Sequence, residues 1–291
     1  MTATIIDGKA TAAGLRERVA AQVAQLAQRG VVPGLAAVLV GDDPASHTYV
    51  DGKERDCRSV GMASLGARLP SSTTTAELHA EIDRRNDDPA VSGIIVQMPL
   101  PDHLDPIAAQ ERIDPLKDVD GLHPENAGRL VRGDPRFVPA TPLACQVLLD
   151  TYGIPAAGAD VVIVGRSQLV GRPLALLLSL RTANATVTMC HTGTVDLAAH
   201  TRRAGIVVVA AGARHTLTAG MVAPGATVLD VGINRDEHGH LVGDADFADL
   251  VEVAGAITPV PGGVGPMTRA LLLQSTLLAA RLQSGMPLAL R

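Results

Sequence analysis

Aromatic side chains are nearly absent from this sequence. Among 291 residues there is no Trp, and Tyr49, Tyr152, Phe137 and Phe247 complete an aromatic share of 1%. Stacking platforms for single-stranded nucleic acid are hard to build from that inventory. Basic charge is in deficit as well: 25 Lys and Arg against 30 Asp and Glu leave a net charge of −5. Nucleic acids and anionic membranes both favour a basic face, so neither is an expected partner. No apolar run reaches the roughly 18 residues needed to span a bilayer; the stretch Ile206 to Ala213 is among the most apolar and is far too short. Met1 to Lys9 has no basic segment leading into an apolar one, and so does not read as a signal peptide. The three cysteines, Cys57, Cys145 and Cys190, are odd in number and widely spaced. That pattern supports neither a disulfide framework nor a zinc site, and no metal is expected. The expectation is a soluble cytoplasmic protein with reduced thiols.

What is present is aliphatic and regularly punctuated. Hydrophobic residues make up 46% of the chain, so the core must be Leu, Val, Ile and Ala, and the length suits two domains. Helical patterns over Thr11 to Arg29, Ser46 to Val60 and Thr75 to Asn86 alternate with strand-like runs at Gly34–Val40, Ala63–Leu69 and Gly93–Gln97. The second half repeats the style, with strands at Asp160–Val164, Ala185–Cys190, Ile206–Ala211 and Ala226–Val231 and a helix over Pro173–Leu180. This alternation argues α/β domains with mainly parallel sheets. The turn-rich segment Gly133 to Pro142 marks the boundary, followed by a linking helix to Gly153.

Near the C-terminus, Ile257 to Thr268 holds Pro259, Pro261 and Pro266 around the adjacent Gly262 and Gly263. Proline fixes φ and lacks an N–H, and glycine permits positive φ and close approach by a ligand. Such a density of breakers predicts a rigid shaped loop ahead of a helix from about Met267 to Leu282.

Strand Val161–Val164 runs into Gly165-Arg166-Ser167-Gln168-Leu169-Val170-Gly171-Arg172-Pro173. In a doubly wound fold a glycine-bearing turn here presents helix N–H groups to a phosphate. Ser167 stands where the usual fingerprint has Gly, so a plain strand-to-helix connection fits this turn about as well. The next strand ends Cys190-His191-Thr192-Gly193-Thr194 without the carboxylate that binds a ribose 2′-hydroxyl. Arg166, with Thr192 or His191, could instead receive a 2′-phosphate, which favours NADP over NAD. For His191 the alternative is a turn-stabilising role.

Tyr49 and Lys53, four residues apart on a predicted helix, share one face. Gln97 ends a strand, at the edge where open α/β sheets bind ligands. Lys117-Asp118-Val119-Asp120-Gly121 is a charged loop whose alternative reading is a solvated turn.

Together, Tyr49-x-x-x-Lys53, Val96-Gln97-Met98-Pro99-Leu100-Pro101, Lys117 to Leu122, Gly165-Arg166-Ser167, Val170 to Pro173, Cys190-His191-Thr192, Asp230-Val231-Gly232-Ile233-Asn234 and the Pro/Gly loop resemble, in order, the motifs of the bifunctional methylenetetrahydrofolate dehydrogenase/methenyltetrahydrofolate cyclohydrolase family. The resemblance spans essentially the whole chain. It implies NADP-dependent oxidation of 5,10-methylenetetrahydrofolate, then hydrolysis to 10-formyltetrahydrofolate, by a homodimer. It implies Lys53 as the general acid/base, with Tyr49 and Gln97 positioning it and the folate, Asp120 on the pterin, and Pro261 and Gly262 at the substrate. Gly165, Arg166, Ser167, Val170, Gly171, His191, Thr192 and Ile233 would hold NADP.

The architecture implied is two α/β domains with a cleft between them. A folate domain of residues 1–140 would be completed by a C-terminal helix over 266–291, and 141–265 would be a Rossmann-type NADP-binding domain. Three departures are visible: Ala140 where the family has Cys, Gly193 where it has Lys, and Gly205 where Asp is common. Missing that Lys weakens the case for strict NADP preference. Another NADP-dependent Rossmann dehydrogenase would account for Arg166 but leave Tyr49, Lys53, Gln97 and Asp120 unexplained. A non-catalytic folate-binding relative would be expected to have lost Lys53.

Overall fold

The computed structural model describes residues 2–286. Its first half contains β1 (Thr4–Ile5), α1 (Gly8–Ala27), β2 (Gly34–Val40), α2 (Pro44–Ser59), β3 (Ala63–Ser64), β4 (Ala67–Leu69), α3 (Thr75–Asp87), β5 (Gly93–Val96), α4 (Pro106–Glu111) and α5 (Pro124–Val131). Then follow α6 (Ala140–Thr151), β6 (Asp160–Val164), α7 (Gly171–Ser179), β7 (Thr186–Cys190), α8 (Leu197–Thr201), β8 (Ile206–Val209) and β9 (Thr227–Asp230). The chain closes with β10 (Asn234–Arg235), β11 (Leu241–Val242), α9 (Phe247–Leu250), β12 (Ala256–Ile257) and α10 (Val264–Gln283). Among the described residues no helix is long and apolar enough to cross a membrane. Two compact units form, both α/β with parallel sheets. One is Gly14–Val138 with α10 from Arg269 onward; the other is Pro139–Thr268 with the chain up to Ala13.

In the unit around Gly14–Val138, β2 is paired in parallel with β3, β4 and β5. Every residue of β2 is buried, which is why the sequence there is an unbroken Gly-Leu-Ala-Ala-Val-Leu-Val run; a parallel strand covered on both faces has no polar side. The strand expected over Ala63–Leu69 is two short ones. Gly66 presses against the carbonyl of Ala37, leaving no room for a Cβ, and the pairing with β2 is interrupted there between Leu35 and Val38. Ala36, Val38, Val40, Ile94 and Val96 from the strands pack with Leu78 and Ile82 of α3 into one core. Helix α3 starts at a reciprocal cap, in which Thr74 and Glu77 bond each other's backbone N–H.

The other unit is built on a six-stranded parallel sheet of order β1-β12-β9-β8-β6-β7. Residues 2–13 therefore group differently from the expected 1–140 domain. Strand β1 pairs with β12, Thr4 opposite Ala256, and this pairing ties the N-terminal segment to the sheet. Val162, Val164, Val207, Val209, Val228 and Ile257 pack with Leu217, Val222 and Leu250. Register places Val164, Cys190, Val209 and Asp230 side by side at the carboxyl ends of β6, β7, β8 and β9. Helix α10 begins at Val264, three residues ahead of the predicted Met267. The last part of the helix expected to reach 291, residues 287–291, lies outside the described residues.

Candidate active site

Helix α2 is started by Asp43, whose carboxylate accepts from Ser46 N at 2.8 Å, with Pro44 in the first turn. Val50 and Cys57 are buried on one side; Tyr49 and Lys53 lie on the face their spacing predicts. Gln97 follows β5 directly and stays in the ladder, its N–H donating to Val38 O at 2.8 Å. Its side-chain amide donates to Met98 O at 2.6 Å. With its nitrogen so engaged, the amide oxygen faces Lys53, whose Nζ donates to Oε1 at 3.0 Å. Tyr49 is 55% exposed, and among the described residues no hydrogen bond joins it to Lys53 or Gln97.

Asp120 is held by its neighbours. Lys117 is buried and donates to Arg85 O, Asn86 O and Asp88 O at 3.1, 2.7 and 2.8 Å, capping the C-terminal end of α3. Asp118, also buried, accepts from Leu122 N, His123 N and Asn126 Nδ2. The charged loop is thus anchored into the unit at two points, unlike a solvated turn. Burial raises the Asp120 carboxyl to about 6, with Lys53 pulling it down and Asp118 pushing it up. In return, burial lowers the Lys53 amine from its ordinary range, Asp120 opposes that, and Arg269 reinforces it. An amine and a carboxyl of moved affinity therefore act on each other, a common property of proton-transfer sites.

In the sheet of six, the β6–α7 turn requires its glycines. Gly165 has φ +133°, and a side chain there would strike the carbonyl of Ala210; one at Gly171 would strike that of Gly165. Ser167 Oγ accepts from Val170 N at 3.1 Å and closes the turn. Arg166 is exposed, and among the described residues it makes no ion pair. Beside it the chain leaves β7 through His191 and Thr192. His191 Nδ1 accepts from Gly193 N at 3.0 Å, and its N–H donates to Thr194 Oγ1 at 2.9 Å. His191 thus stabilises its own turn. Ile233, past β9, is 63% exposed. Pro261 and Gly262 lie in the loop ahead of α10, where Gly262 O accepts from Lys9 N at 3.0 Å.

Three supporting residues were not found from sequence. Asp244 is fully buried; its Oδ2 accepts from Ala211 N and Gly212 N at 2.6 and 2.8 Å, its Oδ1 from Asn234 Nδ2 at 2.8 Å. Asp230 accepts from Gly232, Asp244 and Ala245 N–H groups, while burial raises it to about 6 against those bonds. Together they fix the loops past β8 and β9. Only Asp230 sits in a recognisable motif; a lone Asp in Gly243-Asp244-Ala245 carries no local signal. Arg269 reads in sequence as one more exposed helical cation.

Residues 6–120 match the family description "Tetrahydrofolate dehydrogenase/cyclohydrolase, catalytic domain", and residues 139–284 match "Tetrahydrofolate dehydrogenase/cyclohydrolase, NAD(P)-binding domain". The chain is 55% identical to the bifunctional protein FolD of Paraburkholderia xenovorans over 280 residues, 96% of this chain and 97% of that protein. Among solved structures, the bifunctional FolD of Campylobacter jejuni superposes with a TM-score of 0.93 at 46% identity, covering 96% of this chain and 99% of that one. The FolD of Trypanosoma brucei, complexed with NADP cofactor and inhibitor, gives 0.92 at 38% identity, covering 98% and 99%. The chain belongs to the tetrahydrofolate dehydrogenase/cyclohydrolase family.

Proposed function

We propose that this chain carries out two successive reactions on one folate and that Lys53 is the proton carrier of the second. The chain oxidises 5,10-methylenetetrahydrofolate to 5,10-methenyltetrahydrofolate with NADP, then hydrolyses the methenyl species to 10-formyltetrahydrofolate. The hydrogen bond from Lys53 Nζ to Gln97 Oε1, 3.0 Å long, carries the reading. Gln97 aims the amine, and burial with a nearby guanidinium favours its neutral form. A neutral amine can take a proton from the water that adds to the methenyl carbon. The ammonium so formed can return a proton to the folate nitrogen as the ring opens. Asp120, ionised above about 6, accepts hydrogen bonds from the pterin, and Tyr49, Pro261 and Gly262 contact the folate.

NADP, when bound, supplies the hydride acceptor. The residues present fit it: a tight glycine turn, an exposed cation at Arg166 that makes no ion pair among the described residues, and no carboxylate at the end of β7. Arg166, Ser167 and Thr192 hold the 2′-phosphate, while Gly165, Val170 and Gly171 bring the backbone close. His191 shapes the adjoining turn, and Ile233 offers an apolar surface to the ring system. The protein works as a cytoplasmic homodimer; the family suggests the dimer, and three free, buried cysteines suit a reducing compartment.

The reading is tested by mixing the protein with methylenetetrahydrofolate and NADP and following absorbance. The methenyl species should appear and then decay. NADPH formed from other alcohols or amino acids, with no methenyl signal, would favour a different dehydrogenase.

A further inference from the structure

The guanidinium of Arg269 ties α10 to the turn of α2 that carries Lys53. Its Nε donates to Asp56 Oδ2 at 2.7 Å, and a terminal nitrogen donates to Gly52 O at 3.0 Å. Gly52 and Asp56 are one helical turn apart and bracket Lys53. Glycine inside a helix is unfavourable relative to alanine, so its presence at 52 calls for a reason. A Cβ there would stand 3.2 Å from the same guanidinium nitrogen, tighter than ordinary contact. Glycine at 52 leaves the space that the guanidinium uses.

We infer that Arg269 is a positioning residue for Lys53, bridging Gly52 and Asp56 so that this turn of α2 presents the amine to Gln97 with a permanent cation alongside. The inference rests on the reading of Lys53 as proton carrier. The groups that act on Lys53 are Asp120 from its loop, Gln97 past β5, Cys57 on its own helix and Arg269 from α10. Asp120 favours the ammonium, whereas Arg269 favours the neutral amine. Asp56 offsets part of the guanidinium charge. Arg cannot lose its proton, so its influence persists at every pH where the enzyme works.

Arg269→Gln and Arg269→Lys in the full chain separate the two contributions. Gln keeps a hydrogen-bonding head without charge; Lys keeps the charge without the two-pronged geometry. The first readout is trace acylation of Lys53 by acetic anhydride from neutral to alkaline pH, followed by peptide mass spectrometry, which needs no folate and no turnover. Arg269→Gln should move the onset of Lys53 reactivity to higher pH, and Arg269→Lys should restore most of the native profile. The second readout is methenyl hydrolysis. In Arg269→Gln, kcat at neutral pH should fall about tenfold, less than the roughly 10²–10⁴-fold worth of a full acid–base group, with KM little changed. An unmoved acylation profile with equal kcat losses in both variants would overturn the proposal and leave Arg269 a plain helix anchor. A moved profile with hydrolysis untouched would support the Arg269–Lys53 relationship and overturn the proton-carrier role instead.

Discussion

Lys53 Nζ and Gln97 Oε1 are 3.0 Å apart although 44 residues separate them in sequence. The contact exists because one residue lies on a helix and the other at the carboxyl end of a parallel strand, both packed around β2. Both polar atoms of the Gln97 amide are engaged: its nitrogen donates to Met98 O and its oxygen accepts from Lys53 Nζ. If Lys53 moves a proton as proposed, an amide in this position cannot compete for it, so Gln97 would orient the base without replacing it. Gln97→Leu should therefore weaken hydrolysis while preserving the packing of β5.

Cofactor choice follows from Arg166. A guanidinium that makes no ion pair among the described residues can grip a phosphate through two parallel bonds. Arg166→Ala should weaken NADP binding by roughly 10- to 100-fold, the worth of about 1.5–3 kcal/mol of charge-assisted bonding, with little effect on NAD. Titrating both dinucleotides by fluorescence or calorimetry measures this. Equal use of NADP and NAD by the native protein would refute the assignment.

Asp120 should give a pH signature. Its carboxyl is raised from 3.8 to about 6 in the folded protein, so the folded chain holds that proton more tightly than the unfolded one. By linkage, the ionised carboxylate costs stability above about 6, and the cost fades as pH falls through 6 toward 3.8. Asp120→Asn should therefore be more stable than the native protein at neutral pH, by about 3 kcal/mol, with the difference vanishing in acid. Folate KM should rise in the native protein below about 6, and that rise should be absent from the variant. Asp120→Ala should impair both activities while NADP affinity stays intact. Native-like folate kinetics in Asp120→Ala would return it to the status of a turn residue.

Much of this site was legible because its residues sit where periodicity changes. The strand-to-helix turn at Gly165 and Gln97 at the end of an apolar run lie at element boundaries, while Tyr49 and Lys53 form an i,i+4 pair inside α2. The four-residue spacing of Tyr49 and Lys53 predicted a shared face, but not that Tyr49 would be 55% exposed, with no hydrogen bond to Lys53 or Gln97 among the described residues. Lys117 was hidden for the opposite reason. In sequence it belongs to a charged turn; only the folded path of α3 brings three orphan carbonyls to its ammonium. The two-residue strands β1 and β12 carry too little pattern to be read, and they decide which unit holds the N-terminus. Arg269 and Asp244 act across long sequence separations, which no local window can contain.

That burial of Lys117 makes a stability prediction. Lys117→Met keeps the apolar stem but leaves the carbonyls of Arg85, Asn86 and Asp88 without their charged donor. The loss should be about 2–3 kcal/mol, read by urea denaturation. Hydrogen exchange should quicken at the end of α3 and in the Asp118–Gly121 turn before it does in β6 to β9. Unchanged exchange in that turn would mean that Asp118 alone holds Asp120 in place.

Lys53 itself carries the sharpest expectation. The two reactions share a folate site and ask different things of it. Hydride transfer requires two carbons to be aligned, whereas hydrolysis of the methenyl cation requires a proton carrier beside the bridging carbon. Lys53→Met keeps length and apolar bulk and removes the donor and the charge. Acid–base assistance is typically worth roughly 10²–10⁴-fold, so cyclohydrolase activity should fall by about that factor or more. Dehydrogenase activity should survive better, so that methenyltetrahydrofolate accumulates in the cuvette where the native protein consumes it. Hydrolysis at the native rate would remove Lys53 from the chemistry. Equal loss of both activities would make it a positioning group for the folate, with the proton moved by another residue.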